Sequence, residues 1–229
     1  MKHAAAENGI KVKIDAVEAT NLTKAELIKG KYDGMVVPQG WGSRGVEGII
    51  EAVEYARVNK IPYLGLCFGM QMAVVEFARN VCGLRDANSF EVDKKTKYPV
   101  VNVMPDQEEY LRKKQYGGTI RLGAWPCQLK EGSQLEKAYF DHGPQEISKG
   151  IVWERHRHRY EVNQKYVDLF EKNGLIVCGR SPDGKLVEAI ELDEKIHPFM
   201  VATQYHPEYK SRFLSPHPLF VAFLKKCMK

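Results

Sequence analysis

The chain lacks the features that mark several large protein classes. No apolar run approaches the ~18 residues of a membrane span. The opening MKHAAAENGI has no apolar core of a secretory signal. Cysteine is scarce: five, at 67, 82, 127, 178 and 227, an odd number with no CxxC pair. That argues against a zinc ribbon or a disulfide framework and leads to the expectation of a reducing, cytoplasmic setting. No repeat, low-complexity tract or linker divides the sequence, and no Gly-Lys-Ser/Thr completes a phosphate loop. Charge of one sign does not dominate either. Lys+Arg number 34 against 29 Asp+Glu, a net +5 that permits anionic small partners without demanding nucleic acid.

What is present suffices for one sizeable core: 229 residues, 44% hydrophobic and 28% charged. A single domain over residues 1–229 is expected. Alternation predicts a strand at 11–15. Residues 23–29 read as a helix, with Thr23 and Glu26 in capping-box spacing. Residues 32–37 end in an apolar run that meets the breaker-rich PQGWGSRG. Over 46–59, Val46, Ile49, Ile50, Val53 and Ala56 fall on one helical side. Residues 61–66 form an apolar run of the kind buried in parallel sheets, and 69–80 are helical. Strands alternating with helices predict an α/β fold, a mostly parallel central sheet flanked by helices. The stretch 81–145 reads as loop-rich, with a long mobile loop at 105–118. Strands return at 120–124, 152–162, 175–179, 186–192 and 199–205, and helices at 164–172 and 219–226. MKHAAAENG reads as the end of a helix stopped by Gly9. A doubly wound domain normally opens on a strand, so the first strand is expected to be missing from this chain.

The chemistry concentrates in Gly65-Leu66-Cys67-Phe68-Gly69, which has the spacing of a nucleophile elbow. Such a turn from strand to helix exposes its central side chain above the strand end. A thiol there sits at a helix N-terminus, which favours thiolate, so Cys67 is expected to be more acidic than a free thiol. The N–H of Phe68 points to the same space and suits an oxyanion. A buried core cysteine ahead of a helix is the alternative. A nucleophilic thiol needs a base, and the base an orienter. Of seven histidines, only His206 sits at a strand end with a carboxylate two residues on, in VATQYHPEY. In extended geometry His206 and Glu208 point to the same side, with Pro207 fixing the backbone between them. A surface turn is the alternative. In ERHRHRYEV an extended backbone puts Arg155, Arg157 and Arg159 on one face and His156 and His158 on the other. That row suits phosphate, a small carboxylate or nucleic acid, or it is a solvated edge. No third ligand is spaced to make the histidines a metal site.

Together these residues resemble the class I glutamine amidotransferases. The match is closer to one branch: GSRGVEGIIEAVEYARVNKIPYLGLCFGMQMAVVEFARN, GGTIRLG, ERHRHRYEVN and ATQYHPE are similar to the glutaminase domain of the CTP synthase family. The resemblance runs from about Val36 through Phe220. It implies a class I glutamine amidotransferase-like fold with a smaller antiparallel strand set. It also implies hydrolysis of L-glutamine through a cysteine thioester, with Cys67 as nucleophile, His206 as base and Glu208 as its orienter. Oxyanion N–H groups fall to Gln39 and Phe68. Glutamine binding falls to Gly40, Phe68, Gly69, Met70, Gln71, Glu91 and Arg159, with Arg159 on the carboxylate and Glu91 on the ammonium. Arg121 matches an arginine linked to activation by GTP. The ammonia would serve ATP-dependent amination of UTP to CTP by a synthase domain absent from this chain. ATP, UTP, Mg and the GTP effector are therefore expected only for a full-length enzyme, as is a homo-oligomer. No cofactor or metal is expected in this domain, nor a nucleic-acid or membrane partner.

Three positions depart from the family pattern. Gln39 stands where a glycine of the loop normally donates one oxyanion N–H, and a non-glycine residue resists positive φ. Phe68 replaces a leucine and Phe90 a threonine. Gln39 and the expected missing first strand motivate an alternative role beside the leading one, a glutamine-binding regulatory module with weakened turnover. A third is an unrelated cysteine hydrolase, which would leave Glu91 and Arg159 without a task.

Overall fold

Two short strands are buried on both faces, and this sets the layering. In β2 (Tyr63–Leu66), Tyr63 joins one apolar cluster while Leu64 and Leu66 join another. In β10 (Met200–Thr203), Met200 and Ala202 belong to the first cluster and Val201 to the second. Strands apolar on both faces need helices over both. In the computed structural model, which describes residues 1–103, 120–143, 147 and 149–228, helices supply both layers. On one side lie α3 (Val46–Val58), α4 (Phe68–Asn80) and α6 (Val167–Lys172). On the other lie α1 (Lys2–Glu7), α5 (Gln134–His142) and α7 (Pro218–Cys227). A further helix, α2 (Lys24–Gly30), starts at Thr23 in a complete capping box with Glu26, and its Leu27 reaches the first cluster.

The main sheet is mixed and runs in the order β1-β2-β10-β9-β8-β5-β6. Its parallel part is β1 (Met35–Val37), β2 and β10, with Gly65 beside Ala202 and Leu66 beside Thr203. From β10 onward every pairing is antiparallel, through β9 (Val187–Leu192), β8 (Leu175–Arg180), β5 (Arg121–Leu129) and β6 (Ile151–His158). A second sheet holds β3 (Ala87–Ser89), β4 (Tyr98–Val103) and β7 (Tyr160–Val162). The α/β class, the flanking helices and a smaller second sheet agree with the sequence reading, but the central sheet is mixed, parallel only through β1, β2 and β10, and the smaller sheet pairs β3 with β4 in parallel and only β4 with β7 antiparallel. Among the described residues no helix is long and apolar enough to cross a membrane.

Several element predictions need correction. Residues 11–15 form no strand: they are mostly exposed and no described strand pairs with them. Alternation is a weak signal without a partner to bond. The stretch 81–145 is not loop throughout. It contains β3, β4, the nine-residue β5 and α5, whose Ser133 accepts from the Glu136 N–H as an N-cap. The expected loop at 105–118 lies outside the described residues. The single strand read at 152–162 is two strands in two sheets, broken at Arg159. The helix at 164–172 begins with a 3-10 turn, Gln164–Tyr166.

Candidate active site

The strand-to-helix seam is as tight as its glycines imply. Cys67 takes φ 53° and ψ −99°, a conformation a side chain rarely adopts, directly between β2 and α4. A Cβ on Gly69 would lie 2.2 Å from the Val37 carbonyl oxygen, and one on Gly65 would lie 2.9 Å from both Gly69 and Ala202. Here glycine is required by close approach rather than by φ. The Cys67 N–H donates to the Thr203 carbonyl at 2.7 Å, pinning the elbow to β10.

β10 leads directly to His206, whose N–H donates to the Arg155 carbonyl at 2.8 Å. Its ring stacks on Tyr209, centroids 5.0 Å apart. His206 Nδ1 lies 2.7 Å from Glu208 Oε1. The pair forms through a 3-10 turn, Pro207–Tyr209, and not through the extended backbone expected from sequence. Proline at the first position of such a turn is pre-set for it. His206 is 1% exposed, and its Nε2 has no hydrogen-bond partner among the described residues.

Glu91 and Arg159 also converge here. The Gly42 N–H donates to Glu91 Oε1 at 3.3 Å, which ties the 38–42 loop to the pocket. Burial pushes the Glu91 carboxyl up, against the Gly42 bond and the nearby Arg159 guanidinium. Both Glu91 and Glu208 are close enough to Cys67 to disfavour its thiolate. Burial dominates, however, and pushes the Cys67 thiol up to about 12, with the Phe68 N–H and Gln204 opposing it. This corrects the expectation of an acidic thiol. At 5% exposure the loss of hydration outweighs the Phe68 N–H and the Gln204 amide.

The remaining candidates fall into place unevenly. Gln39 does not adopt positive φ, so the conformation that would have demanded glycine is not required of it. The Phe68 ring packs over Gly40, where a Cβ would lie 3.3 Å from its Cδ1. Met70 is fully buried in the first apolar cluster, which leaves only its backbone for the pocket. Gln71 is 2% exposed and donates to the Tyr160 carbonyl at 3.0 Å. The three arginines do not share a row. Arg155 and Arg157 are exposed on β6, whereas Arg159 sits at the break between the sheets. His156 and His158 face each other at 2.9 Å, and no described group of three side chains is arranged to hold a metal ion. Arg121 is 6% exposed and ion-paired to Glu188 at 2.6 Å, so its charge is engaged inside the domain.

Sequence reasoning missed Gln204. Its Nε2 donates to Cys67 Sγ at 3.6 Å, and its Oε1 accepts from Gln71 at 3.4 Å. The available signal was its place two residues before His206, at the end of the strand that pairs with the elbow strand.

Comparison with known proteins identifies the family. The family model for glutamine amidotransferase class-I matches residues 1–226. The chain is 52% identical over 228 residues to a CTP synthase of Caldanaerobacter subterraneus subsp. tengcongensis, covering 98% of this chain and 40% of that protein. It is 48% identical to the CTP synthase of Bacillus subtilis, again over 98% of this chain and 40% of the relative. The chain thus spans about 40% of the length of the curated relatives it matches. Among solved structures it is similar to the glutaminase domain of Trypanosoma brucei CTPS with bound acivicin. The TM-score is 0.87 at 34% identity, covering 99% of this chain and 84% of that one.

Proposed function

Since the chain belongs to the class I glutamine amidotransferases, as a glutaminase domain of the CTP synthase family, we propose that it hydrolyses L-glutamine through a thioester on Cys67. The single observation that carries this reading is the His206–Glu208 pair, with Nε2 of His206 unpartnered among the described residues, just beyond the strand that pairs with the elbow strand. The thiol is neutral in the free site, so ionisation accompanies attack. His206 Nε2 takes the proton as Sγ bonds to the side-chain amide carbon of glutamine. The N–H groups of Gln39 and Phe68 hold the oxyanion. As the intermediate collapses, His206 returns the proton to the leaving nitrogen and ammonia departs. Water, deprotonated by His206, then attacks the thioester and releases glutamate. Glu208 fixes the ring's tautomer and supports the imidazolium.

Arg159 grips the substrate carboxylate, and Glu91 its ammonium together with Gly40 and the backbone of 68–71. The amination of UTP to CTP, with ATP, Mg and the GTP effector, is assigned to the remainder of the longer relatives. Oligomerisation is assigned there too, so the ammonia made here serves a synthase domain. The reading as a weak-turnover binding module rested in part on Gln39, whose φ is not positive, and that part of its motive falls away.

Intact-mass analysis after exposure to diazo-oxo-norleucine, an electrophilic glutamine analogue, tests the proposal. One adduct is expected on Cys67, suppressed by excess glutamine and absent in Cys67→Ala. A folded chain that takes no adduct, or takes it on another cysteine, overturns it.

A further inference from the structure

A sulfur that must become anionic during attack lies in an interior that opposes charge. Cys67 is 5% exposed, and two carboxylates, Glu208 and Glu91, weigh against its ionisation. Hydrogen-bond donors aimed at the sulfur are what the site needs, and two are present. One is the Phe68 N–H, supplied by the helix start. The other is the side chain of Gln204, fully buried, with Nε2 3.6 Å from Sγ.

The direction of that amide is fixed by a relay. The Tyr160 carbonyl has only lone pairs to offer, so the Gln71 atom 3.0 Å from it is the donor nitrogen, Nε2. That nitrogen also reaches Gln204 Oε1 at 3.4 Å, which turns the Gln204 nitrogen toward the sulfur. The Gln204 backbone is held as well, with its N–H on the Glu188 carbonyl at 2.8 Å. Gln204 thus has one orientation, set from two elements, with its only free donor group on the reacting atom.

We propose that Gln204 is a further catalytic residue, donating to the Cys67 sulfur as it becomes thiolate and again when it leaves the thioester, and that Gln71 positions it. This rests on the glutaminase reading above. A space-filling core amide is the competing role, and it predicts no effect on the thiol's alkylation.

The test is the rate of iodoacetamide alkylation at one fixed, mildly alkaline pH, read by peptide mass at Cys67, beside steady-state glutaminase kinetics. Gln204→Met keeps the bulk and removes the donor. It should slow alkylation of Cys67 about 10- to 100-fold, the scale of one bond to a charged group. It should lower kcat about 10- to 100-fold and change KM for glutamine less than about twofold. Gln71→Leu, which frees the Gln204 amide to turn, should slow alkylation by less. If Gln204→Met does not fold, Gln204→Leu and Gln71→Leu carry the same readout. An unchanged alkylation rate in a folded variant overturns the proposal. Failure of the wild-type chain to take the glutamine analogue overturns the glutaminase reading instead, and leaves the alkylation result to decide Gln204.

Discussion

Two histidine–carboxylate pairs in this molecule are built from the same groups and differ in what remains unused. In the first, His206 Nδ1 meets Glu208 Oε1 at 2.7 Å, Glu208 is partly exposed, and the second ring nitrogen has no described partner. In the second, His217 Nε2 meets Glu154 Oε1 at 3.1 Å, and His217 Nδ1 accepts the Leu219 N–H at the start of α7. Both nitrogens of His217 are thus committed. Glu154 Oε1 also accepts from Tyr139 at 3.0 Å and from Lys210 at 3.1 Å. Burial works to raise the Glu154 carboxyl, but His217 and Lys210 outweigh it and hold the group below the usual carboxylate range. The second pair ties α5, β6 and α7 together. A carboxylate beside a histidine therefore says little about catalysis. The ring nitrogen left without a partner among the described residues is the feature that separates the two pairs.

Substitution at the two histidines should separate the roles most sharply. His206→Asn is expected to lower kcat by about 10⁴-fold or more, with the thermal midpoint nearly unchanged. His217→Asn should leave kcat of the folded protein within about threefold and lower stability, since it unties a buried carboxylate. Equal losses of activity in the two would break the contrast.

The carboxylates give a smaller effect. Glu208→Gln presents an amide where the ring needs an acceptor, and should lower kcat on the order of 10²–10³-fold without a matching change in KM. Glu154→Gln should cost about 3 kcal/mol in denaturant unfolding and little turnover. A stable Glu154→Gln protein with poor turnover would give the second pair a catalytic share.

The pH dependence of unfolding is the mildest test. The folded pKa of Glu154 is depressed, so its contribution is fully present above the unfolded value of about 4.3 and is lost as pH falls through the folded one. Glu161 and Glu188, raised mainly by burial to about 8 and about 7, act in the opposite sense. Their contribution is present at low pH and is lost as pH rises through those values. Denaturant midpoints measured from pH 2 to pH 9 should show both limbs, and Glu154→Gln should flatten only the acid one.

Much of the candidate site was legible because it is local in sequence. The elbow is five consecutive residues, and His206 and Glu208 are two apart at a strand end. The alternating first third was legible for the same reason, with α3, α4 and β2 close to their expected bounds. What failed depends on partners. The alternation at 11–15 implied a strand, yet a strand exists only where another bonds to it. The break at Arg159 was hidden because β6 and β7 are contiguous and both apolar in part, while their neighbours in space, β5 and β4, are remote in sequence. Gln204 was missed because its meaning lies in the distance to a sulfur on another strand. The thiol's acidity was misjudged because helix position is visible in sequence and loss of hydration is not.

The parallel pairing of β2 with β10 has a consequence for how the chain acquires activity. Cys67 and Gln204 meet although they are 137 positions apart in sequence, joined by Cys67 N–H on the Thr203 carbonyl and by one short ladder. Closing a loop of that length is entropically demanding, and contacts of such separation form slowly. The elbow and the base can each be locally native while the molecule is inert. Competence arrives only when these two strands find each other, and in a chain that has not closed them the thiol lacks both its candidate base and the Gln204 donor.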